Sequence, residues 1–276
     1  MAPVIVVQKL DSSGLWMCVD YTGITTITTR DWYPLSYIED LIDRLPRSRV
    51  FRKLHLASGY DQLCIHPDDR HKMAYVTPDG FYERTVIPFD LANVPSAFMH
   101  AMHLILGQYK NFAIVYLDDM LIFSRSLAEH KMHDDPILLE IWAAHLRLNE
   151  RKCVFGCTEA SFVGFKVNSS QIHTEDRKIA VINGWLVPAS SVHLRLFLGL
   201  AGYSRKFGDN FVHWPIWLYA LKADKSTSRW LWKHQVEFDN IRRALASALV
   251  LALRIPECDY ILRTDALDMA IDGVLA

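Results

Sequence analysis

The sequence predicts an α+β fold, in which short antiparallel strands and helices follow one another in mixed order. The turn signal Asp79-Gly80 lies between the predicted strands 73–76 and 81–87 and therefore predicts a β-hairpin. A second hairpin is predicted where the apolar runs 112–115 and 120–123 flank a short polar segment. Elsewhere apolar residues recur at helical spacing, without the regular alternation of strand and helix that marks a doubly wound sheet.

The remaining elements follow from local signals along the chain. Residues 4–7 and 16–21 have the composition of strands, and residues 38–45 have apolar positions at helical spacing. A helix is predicted over residues 95–106, and another from about Leu127 to Leu148, with Ser126 as its N-cap and Pro136 as a point of interruption. The second half of the chain is predicted to be mostly helical over 175–221, with breaks near Pro188 and Pro215, then helical over 230–248 and extended over 260–265.

Composition indicates a globular protein of modest charge. Of 276 residues, 51% are hydrophobic and 22% charged, which allows a sizeable core in one or two domains and excludes a disordered chain. The 30 Lys+Arg against 31 Asp+Glu give a net charge of −1, so tight binding to nucleic acid through a basic surface is not predicted. The longest mostly apolar run, residues 244–253, is too short to span a bilayer, and no signal peptide is evident. We expect an intracellular protein, cytoplasmic or nuclear.

The cysteines lack the spacing of a disulfide framework and predict free thiols in a reducing compartment. Zinc binding by His145, Cys153 and Cys157 is an alternative, but a fourth ligand is not evident, and buried thiols account better for the pattern. The five cysteines are Cys18, Cys64, Cys153, Cys157 and Cys258.

Two adjacent carboxylates, Asp118 and Asp119, lie at the tip of the second predicted hairpin, in the segment Tyr116-Leu117-Asp118-Asp119. In apolar surroundings such a pair carries a large desolvation cost unless a cation meets it. The pair therefore suits a divalent metal ion and phosphoryl-transfer chemistry. Taken alone, such a motif is more often an exposed Asp-Asp turn on a hairpin.

Other segments, on both sides of this motif, occur in a characteristic order. They are Trp16-Met17-Cys18-Val19-Asp20-Tyr21, Tyr33-Pro34-Leu35, Leu56-Ala57-Ser58-Gly59-Tyr60, His66-Pro67-Asp68-Asp69-Arg70-His71-Lys72, Pro88-Phe89, Lys152-Cys153-Val154-Phe155, Phe162-Val163-Gly164-Phe165, Phe197-Leu198-Gly199-Leu200-Ala201-Gly202-Tyr203 and Thr264-Asp265-Ala266. In this order and spacing they resemble the reverse transcriptase of gypsy-type LTR retrotransposons, along almost the whole chain.

The resemblance implies a right-hand polymerase fold. Fingers and palm, with an antiparallel sheet and the YxDD hairpin, are expected over residues 1–168, and a helical thumb and connection over 169–226. Residues 227–276 would form the truncated start of a ribonuclease H-like domain, in which Asp265 matches the first metal-binding carboxylate. One carboxylate cannot assemble a two-metal site, so ribonuclease H activity is not expected.

The resemblance also implies a site for Mg²⁺ (or Mn²⁺), formed by the hairpin pair and a third aspartate in a Lys-Leu-Asp-Leu segment. Here that segment is Lys53-Leu54-His55-Leu56, so that His55 stands in the place of the aspartate. An imidazole suits Mg²⁺ poorly and brings no negative charge. Two arginines of the family are replaced by Trp16 and Thr22, and Asp90 replaces the glycine of a Pro-Phe-Gly segment.

Several positions match the family. By resemblance, Lys9 would lie near the triphosphate, Tyr60 would screen the sugar 2′ position, and Lys152 would lie near the leaving pyrophosphate. Phe89 matches the nucleotide-binding segment, although the glycine after it is lost. Taken singly, each of these is also an ordinary surface charge or packing residue. The primer-grip hairpin would comprise Phe162, Gly164 and Phe165, with Phe165 replacing a histidine.

We therefore expect a reverse transcriptase domain whose polymerase activity is impaired by His55. The implied partners are an RNA or DNA template-primer and deoxynucleoside triphosphates. Two alternatives are an active RNA-directed DNA polymerase and a non-catalytic nucleic-acid-binding relic. A third, an unrelated metal-dependent protein, accounts for the carboxylate pair alone.

Overall fold

The computed structural model describes residues 2–8, 14–203, 216–223, 230–246, 251–252, 262–267 and 270–275. Internal contacts divide the chain into two units. Unit 1 comprises Met1–Arg44 and Ser48–Val163, and unit 2 comprises Leu45–Arg47 and Gly164–Ala276.

Unit 1 mixes strands with helices. Its strands are β1 (Val4–Gln8), β2 (Leu15–Val19), β3 (Val50–His55), β4 (Ala74–Thr77), β5 (Gly80–Glu83), β6 (Ala113–Tyr116), β7 (Asp119–Ser124), β8 (Val154–Cys157) and β9 (Glu159–Phe162). Its α-helices are α1 (Thr22–Ile27), α2 (Ile38–Ile42), α3 (Val94–Leu106) and α4 (Leu127–Ala143). Short 3-10 turns cover Gly59–Gln62, Pro67–Met73, Gly107–Tyr109 and Glu150–Lys152.

A four-stranded antiparallel sheet with the order β6-β7-β3-β8 forms the centre of unit 1. Strands β1 and β2 form a separate hairpin, and β4 and β5 form another. Helices α3 and α4 pack on the sheet and bury an apolar core. Its largest members include Leu54, Leu56, Phe98, Met102, Met120, Ile122, Ile137 and Ile141.

Charged and polar side chains also lie buried between the central sheet and α4. The Arg52 guanidinium on β3 is 2.8 Å from Asp134 Oδ2 on α4. The Ser124 hydroxyl at the end of β7 is 2.8 Å from His130 Nδ1. A charge in such a position is tolerated only when it is paired, and here the two partners lie on β3 and on α4. The Arg52–Asp134 pair therefore ties the strand to the helix.

Unit 2 is mainly helical. Its helices are α5 (Asp176–Asn183), α6 (Ser191–Tyr203), α7 (Ile216–Ala223) and α8 (Trp232–Ala246). Its core includes Ile182, Leu194, Phe197, Leu198, Ala201, Leu218, Phe238 and Ile241. Antiparallel pairing joins β10 (Phe165–Asn168), β11 (Gln171–Thr174) and β12 (Leu251–Ala252), and joins β13 (Leu262–Leu267) to β14 (Ala270–Leu275).

Most predicted elements are confirmed, with corrections at their ends. The two hairpins are β4–β5 and β6–β7, and the helix predicted over 95–106 is α3. The Ser126 hydroxyl accepts a hydrogen bond from the Glu129 N–H at 3.2 Å, which confirms the N-cap of α4. The predicted interruption at Pro136 is wrong, since α4 continues through it, and the helix ends at Ala143 rather than Leu148. The helix predicted over 38–45 ends at Ile42.

The four described cysteines, Cys18, Cys64, Cys153 and Cys157, are free thiols, and Cys258 lies outside the described residues. The zinc alternative has no support there, because no group of three or more His, Cys, Asp or Glu side chains is arranged to hold a metal. Within the same part of the chain, no helix is both long and apolar enough to cross a membrane.

Candidate active site

The β6–β7 hairpin presents the two carboxylates at its tip. Tyr116 pairs with Asp119, which leaves Leu117 and Asp118 as the two residues of the turn. Leu117 has φ 53°, a left-handed conformation that is strained for a side chain branched beyond Cβ and is commonly found at functional sites. The Leu117 N–H contacts Met99 Sδ at 3.0 Å, and the Leu56 N–H donates to the Asp118 carbonyl at 3.0 Å. The turn is thus held from α3 and from the end of β3.

The Asp118 side chain points into unit 1 and is partly buried. Its Oδ1 atom has no hydrogen-bond partner in the part of the chain that the structure describes. Burial raises the pKa of this carboxyl, and the neighbouring Asp119 raises it further, whereas His55 and Lys152 act in the opposite direction. A buried carboxylate without a partner is costly and is therefore a candidate cation ligand.

Asp119 lies against the central strand β3. The Lys53 ammonium is 3.1 Å from Asp119 Oδ1 and donates a hydrogen bond to Oδ2 at 3.2 Å. His55 is the register partner of Asp119, and its Nε2 lies 4.0 Å from Asp119 Oδ1. His55 Nδ1 lies 2.7 Å from the Leu56 carbonyl, and because a carbonyl only accepts, Nδ1 carries the proton. Unprotonated Nε2 therefore faces the carboxylates in the neutral ring.

These oxygens and nitrogens decide which metal arrangement the site fits. Asp118 Oδ1 and Asp119 Oδ1 both lack a hydrogen-bond partner among the described residues, but the Lys53 ammonium lies 3.1 Å from Asp119 Oδ1 and offsets its charge. Two ions about 3.5–4 Å apart need bridging and flanking carboxylates, and the third corner here is the imidazole of His55. The residues fit one divalent ion that completes its shell with phosphate oxygens, and do not fit a two-ion site.

A cleft of about 400 Å³ opens beside Asp118 within unit 1. The predicted residues Tyr60, Phe89 and Asp90 line it. The Tyr60 ring packs edge-on against Phe98 at 5.1 Å, and burial raises the pKa of its phenol, with Asp118 adding to the rise. Asp90 Oδ2 accepts a hydrogen bond from the Tyr21 N–H at 3.2 Å. The fold therefore brings three of the predicted nucleotide-binding residues to the carboxylate pair.

Other predicted residues lie elsewhere. Lys152 is exposed in the 3-10 turn before β8, and its charge lowers the pKa of Asp118. Trp16 is on β2, paired with Val7, and its side chain is outside what the structure describes. Lys9 is also outside the described residues.

The predicted primer-grip segment spans the end of unit 1 and the start of unit 2. Phe162 is buried in unit 1 and Phe165 in unit 2. Gly164 has φ 79°, and a Cβ there would meet the Lys178 side chain. Asp265 lies on β13 with Asp272 as its register partner.

Sequence reasoning missed four residues that shape this site. Lys53 could have been found, because residues two apart on a strand share a face and His55 was already a candidate. Gly59 is another, since a Cβ there would lie 2.2 Å from Asp118 Oδ1. Asp61 and Arg84 line the cleft as an ion pair, with Nη2 and Oδ1 2.8 Å apart. Their separation of 23 residues gives no local signal.

The family model described as "Reverse transcriptase (RNA-dependent DNA polymerase)" matches residues 9–167. This chain belongs to the reverse transcriptase family. Among the relatives of this chain are the Transposon Tf2-3 and Tf2-4 polyproteins of Schizosaccharomyces pombe, each 32% identical to it over 280 residues. These matches cover 99% of this chain but 21% of each polyprotein, so the chain spans about one-fifth of their length.

Solved structures agree on the fold. The foamy viral protease-reverse transcriptase dRH in complex with double-stranded DNA has a TM-score of 0.86 and 20% identity, over 99% of this chain and 49% of that one. The same viral protein in complex with an RNA/DNA hybrid has a TM-score of 0.82 and 21% identity, over 96% and 36%. The predicted α+β polymerase fold is confirmed. As a family, reverse transcriptases use divalent metal ions.

Proposed function

We propose that this reverse transcriptase domain derives from a gypsy-type LTR retrotransposon and that its RNA-directed DNA polymerase activity is strongly impaired. One observation carries the impairment: His55 is the register partner of Asp119, at the position where a third metal-binding carboxylate is needed. The order of the motifs along the chain, which extends over nearly all of it, supports the gypsy-type origin.

The charge balance at the hairpin supports the loss of activity. Two divalent ions bring four positive charges, and the site offers Asp118 and Asp119, the second of which is already paired with Lys53 at 3.1 Å. The imidazole of His55 brings no negative charge, and its nitrogen is a better ligand for Mn²⁺ than for Mg²⁺. We therefore expect one ion, Mg²⁺ or Mn²⁺, to bind only together with a triphosphate.

The remaining residues define what the site retains. A bound divalent ion would neutralise triphosphate charge and polarise the phosphoryl group. Asp118 and Asp119 would hold it, Tyr60 would exclude a 2′ hydroxyl, and Phe89 would contact the nucleotide. Lys152 would stabilise the departing pyrophosphate.

Two substitutions weaken nucleotide binding in this proposal. Trp16 cannot donate paired hydrogen bonds to phosphate as an arginine would. Asp90 places a carboxylate in the cleft, where it repels phosphate. Lys9 remains as a cation for the triphosphate.

The domain roles follow from the same resemblance. Residues 1–168 would form fingers and palm, 169–226 the thumb and connection, and 227–276 a ribonuclease H-like segment that includes Asp265. The primer-grip turn at Phe162, Gly164 and Phe165 would contact a template-primer. Such a protein would act inside the cell, in the cytoplasm or the nucleus.

Primer extension tests this proposal. The native chain, His55→Asp and His55→Asn are compared on an RNA template with a DNA primer in Mg²⁺ or Mn²⁺. Aspartate and asparagine have the same size, so only the charge differs. We expect His55→Asp to exceed the native rate by about 10³-fold or more, as for groups that act as a unit, and His55→Asn to remain inactive. Rapid extension by the native chain would refute the impairment, and equal rates for the two variants would refute the assignment of the impairment to His55.

A further inference from the structure

The cleft beside Asp118 is unusually rich in carboxylates for a site that accepts a triphosphate. Asp61, Asp90 and Asp118 all line it. Among the described residues that line the cleft, Arg84 is the only cationic side chain. Because like charges repel strongly in a partly desolvated cleft, a polyanion can enter only where a cation compensates.

The backbone holds Arg84 in place beside the cleft. Arg84 directly follows β5, and the next residues pair with the segment after the Gly59–Gln62 turn. The Ile65 N–H donates to the Thr85 carbonyl at 2.9 Å, and the Ile87 N–H donates to the Leu63 carbonyl at 2.9 Å. These bonds fix the backbone next to Arg84, which lines the same cleft as Tyr60 and Asp118.

The ion pair with Asp61 orients the guanidinium without consuming it. Arg84 Nη2 lies 2.8 Å from Asp61 Oδ1. The Arg84 side chain is 21% exposed, whereas that of Asp61 is 51% exposed, so the carboxylate approaches from the solvent side. A guanidinium has five N–H donors in a planar fork, and this pair leaves most of them for phosphate oxygens.

We propose that Arg84 is the phosphate-binding residue of this cleft and contacts the triphosphate of the incoming deoxynucleotide, with Asp61 holding the guanidinium in position. The inference rests on the proposed function, because it takes the cleft as the nucleotide site. The alternative source of phosphate is the backbone of a nucleic-acid strand. The cleft volume of about 400 Å³ fits a single nucleotide and favours the free triphosphate.

The test is isothermal titration calorimetry of the full chain with dGTP in Mg²⁺ buffer. Arg84→Gln removes the charge, Arg84→Lys keeps the charge but removes the fork, and Arg70→Gln is the matched control. Arg70 lies in the Pro67–Met73 turn and donates to the Ile65 carbonyl at 3.4 Å, outside the cleft lining.

We expect Arg84→Gln to weaken dGTP binding roughly tenfold or more, the value of one hydrogen bond to a charged group, and Arg84→Lys to weaken it less. Arg70→Gln should bind dGTP like the native chain. Equal affinities for native and Arg84→Gln chains would overturn the inference, as would a native chain that binds no dGTP.

A second titration, with a short RNA/DNA duplex, separates the two phosphate sources. Arg84→Gln is expected to leave duplex affinity unchanged, and a loss of duplex affinity alone would overturn the assignment to the free nucleotide. Failure of the inference with intact duplex binding leaves the proposed function standing. A native chain that binds neither ligand would refute the inference together with the nucleotide and template-primer contacts of the proposed function.

Discussion

A methyl group added at Gly59 tests how closely the Gly59–Gln62 turn packs on Asp118 in the β6–β7 hairpin. An ideal Cβ at this glycine would lie 2.2 Å from Asp118 Oδ1 and 3.0 Å from Phe98 Cζ. Phe98 is fully buried and cannot swing away. Overpacking of this kind costs about 1–3 kcal/mol, so we expect Gly59→Ala to lower the free energy of unfolding of unit 1 by about that amount.

The two contacts can be separated by a double-mutant cycle. Asp118→Ala removes the atom at 2.2 Å and leaves the Phe98 contact at 3.0 Å. Most of the clash should therefore disappear in the Asp118→Ala background. We expect a coupling free energy of about 1 kcal/mol or more between Gly59 and Asp118.

Urea denaturation followed by circular dichroism measures these differences. Gly23→Ala in α1 is the control, because a Cβ there meets nothing within 4 Å and alanine favours a helix. It should leave the midpoint unchanged or raise it slightly. An equal cost of Gly59→Ala in the native and Asp118→Ala backgrounds would show that the carboxylate does not pack against this glycine.

Two further predictions concern buried charge. Burial raises the pKa of Asp118, so the folded state holds its proton more tightly, and the carboxylate becomes destabilising as pH rises from about 4 through its folded-state pKa. Asp118→Asn should therefore have a higher urea midpoint than the native chain at neutral pH, but not below pH ~4, where an ordinary aspartate takes up its proton. A lower midpoint of Asp118→Asn at neutral pH would contradict this. Asp134→Ala leaves the Arg52 guanidinium, which is 18% exposed, without its carboxylate and should lower the free energy of unfolding by about 3–5 kcal/mol. The double variant Arg52→Met with Asp134→Leu should lower it far less in the same urea assay. Equal losses for the two variants would refute the importance of the pair.

Local signals were sufficient for the hairpins and the main helices. The Asp79-Gly80 turn, the cap at Ser126 and the apolar runs around Asp118 depend on neighbours within a few residues, and each has its predicted place in the structure. The interruption predicted at Pro136 is wrong, because packing of the apolar face of α4 outweighs the loss of one helical hydrogen bond.

The central strand β3 was missed for a different reason. Its sequence, Val50 to His55, places Arg52 and Lys53 in succession, a pattern that does not resemble a strand buried in a sheet. Both charges are neutralised by residues more than 60 positions away, Asp134 on α4 and Asp119 on β7. Because such partners are visible only in the folded chain, β3 itself could not be predicted from local pattern.

The order of the motifs along the chain predicted some residues of the candidate site and missed others. His55 and Asp119 lie at adjacent ends of β3 and β7, and Tyr60, Asp90 and Asp118 line one cleft. The Arg84–Asp61 pair was not foreseen, since it depends on how β5 continues beside the Gly59–Gln62 turn.

If His55 replaces a third metal-binding carboxylate, as we propose, the same replacement lowers the electrostatic cost of folding around the site. Three carboxylates at the hairpin without a metal ion would repel one another and raise the cost of burying Asp118. The imidazole of His55 acts in the opposite direction, lowering the pKa of Asp118, and Lys53 neutralises Asp119. A strained, charge-dense active site is commonly a burden on stability, so a substitution that removes one of its charges relieves the fold while it removes a metal ligand. Packing of α3 and α4 on the sheet does not depend on that ligand, and the polymerase architecture is therefore retained without it.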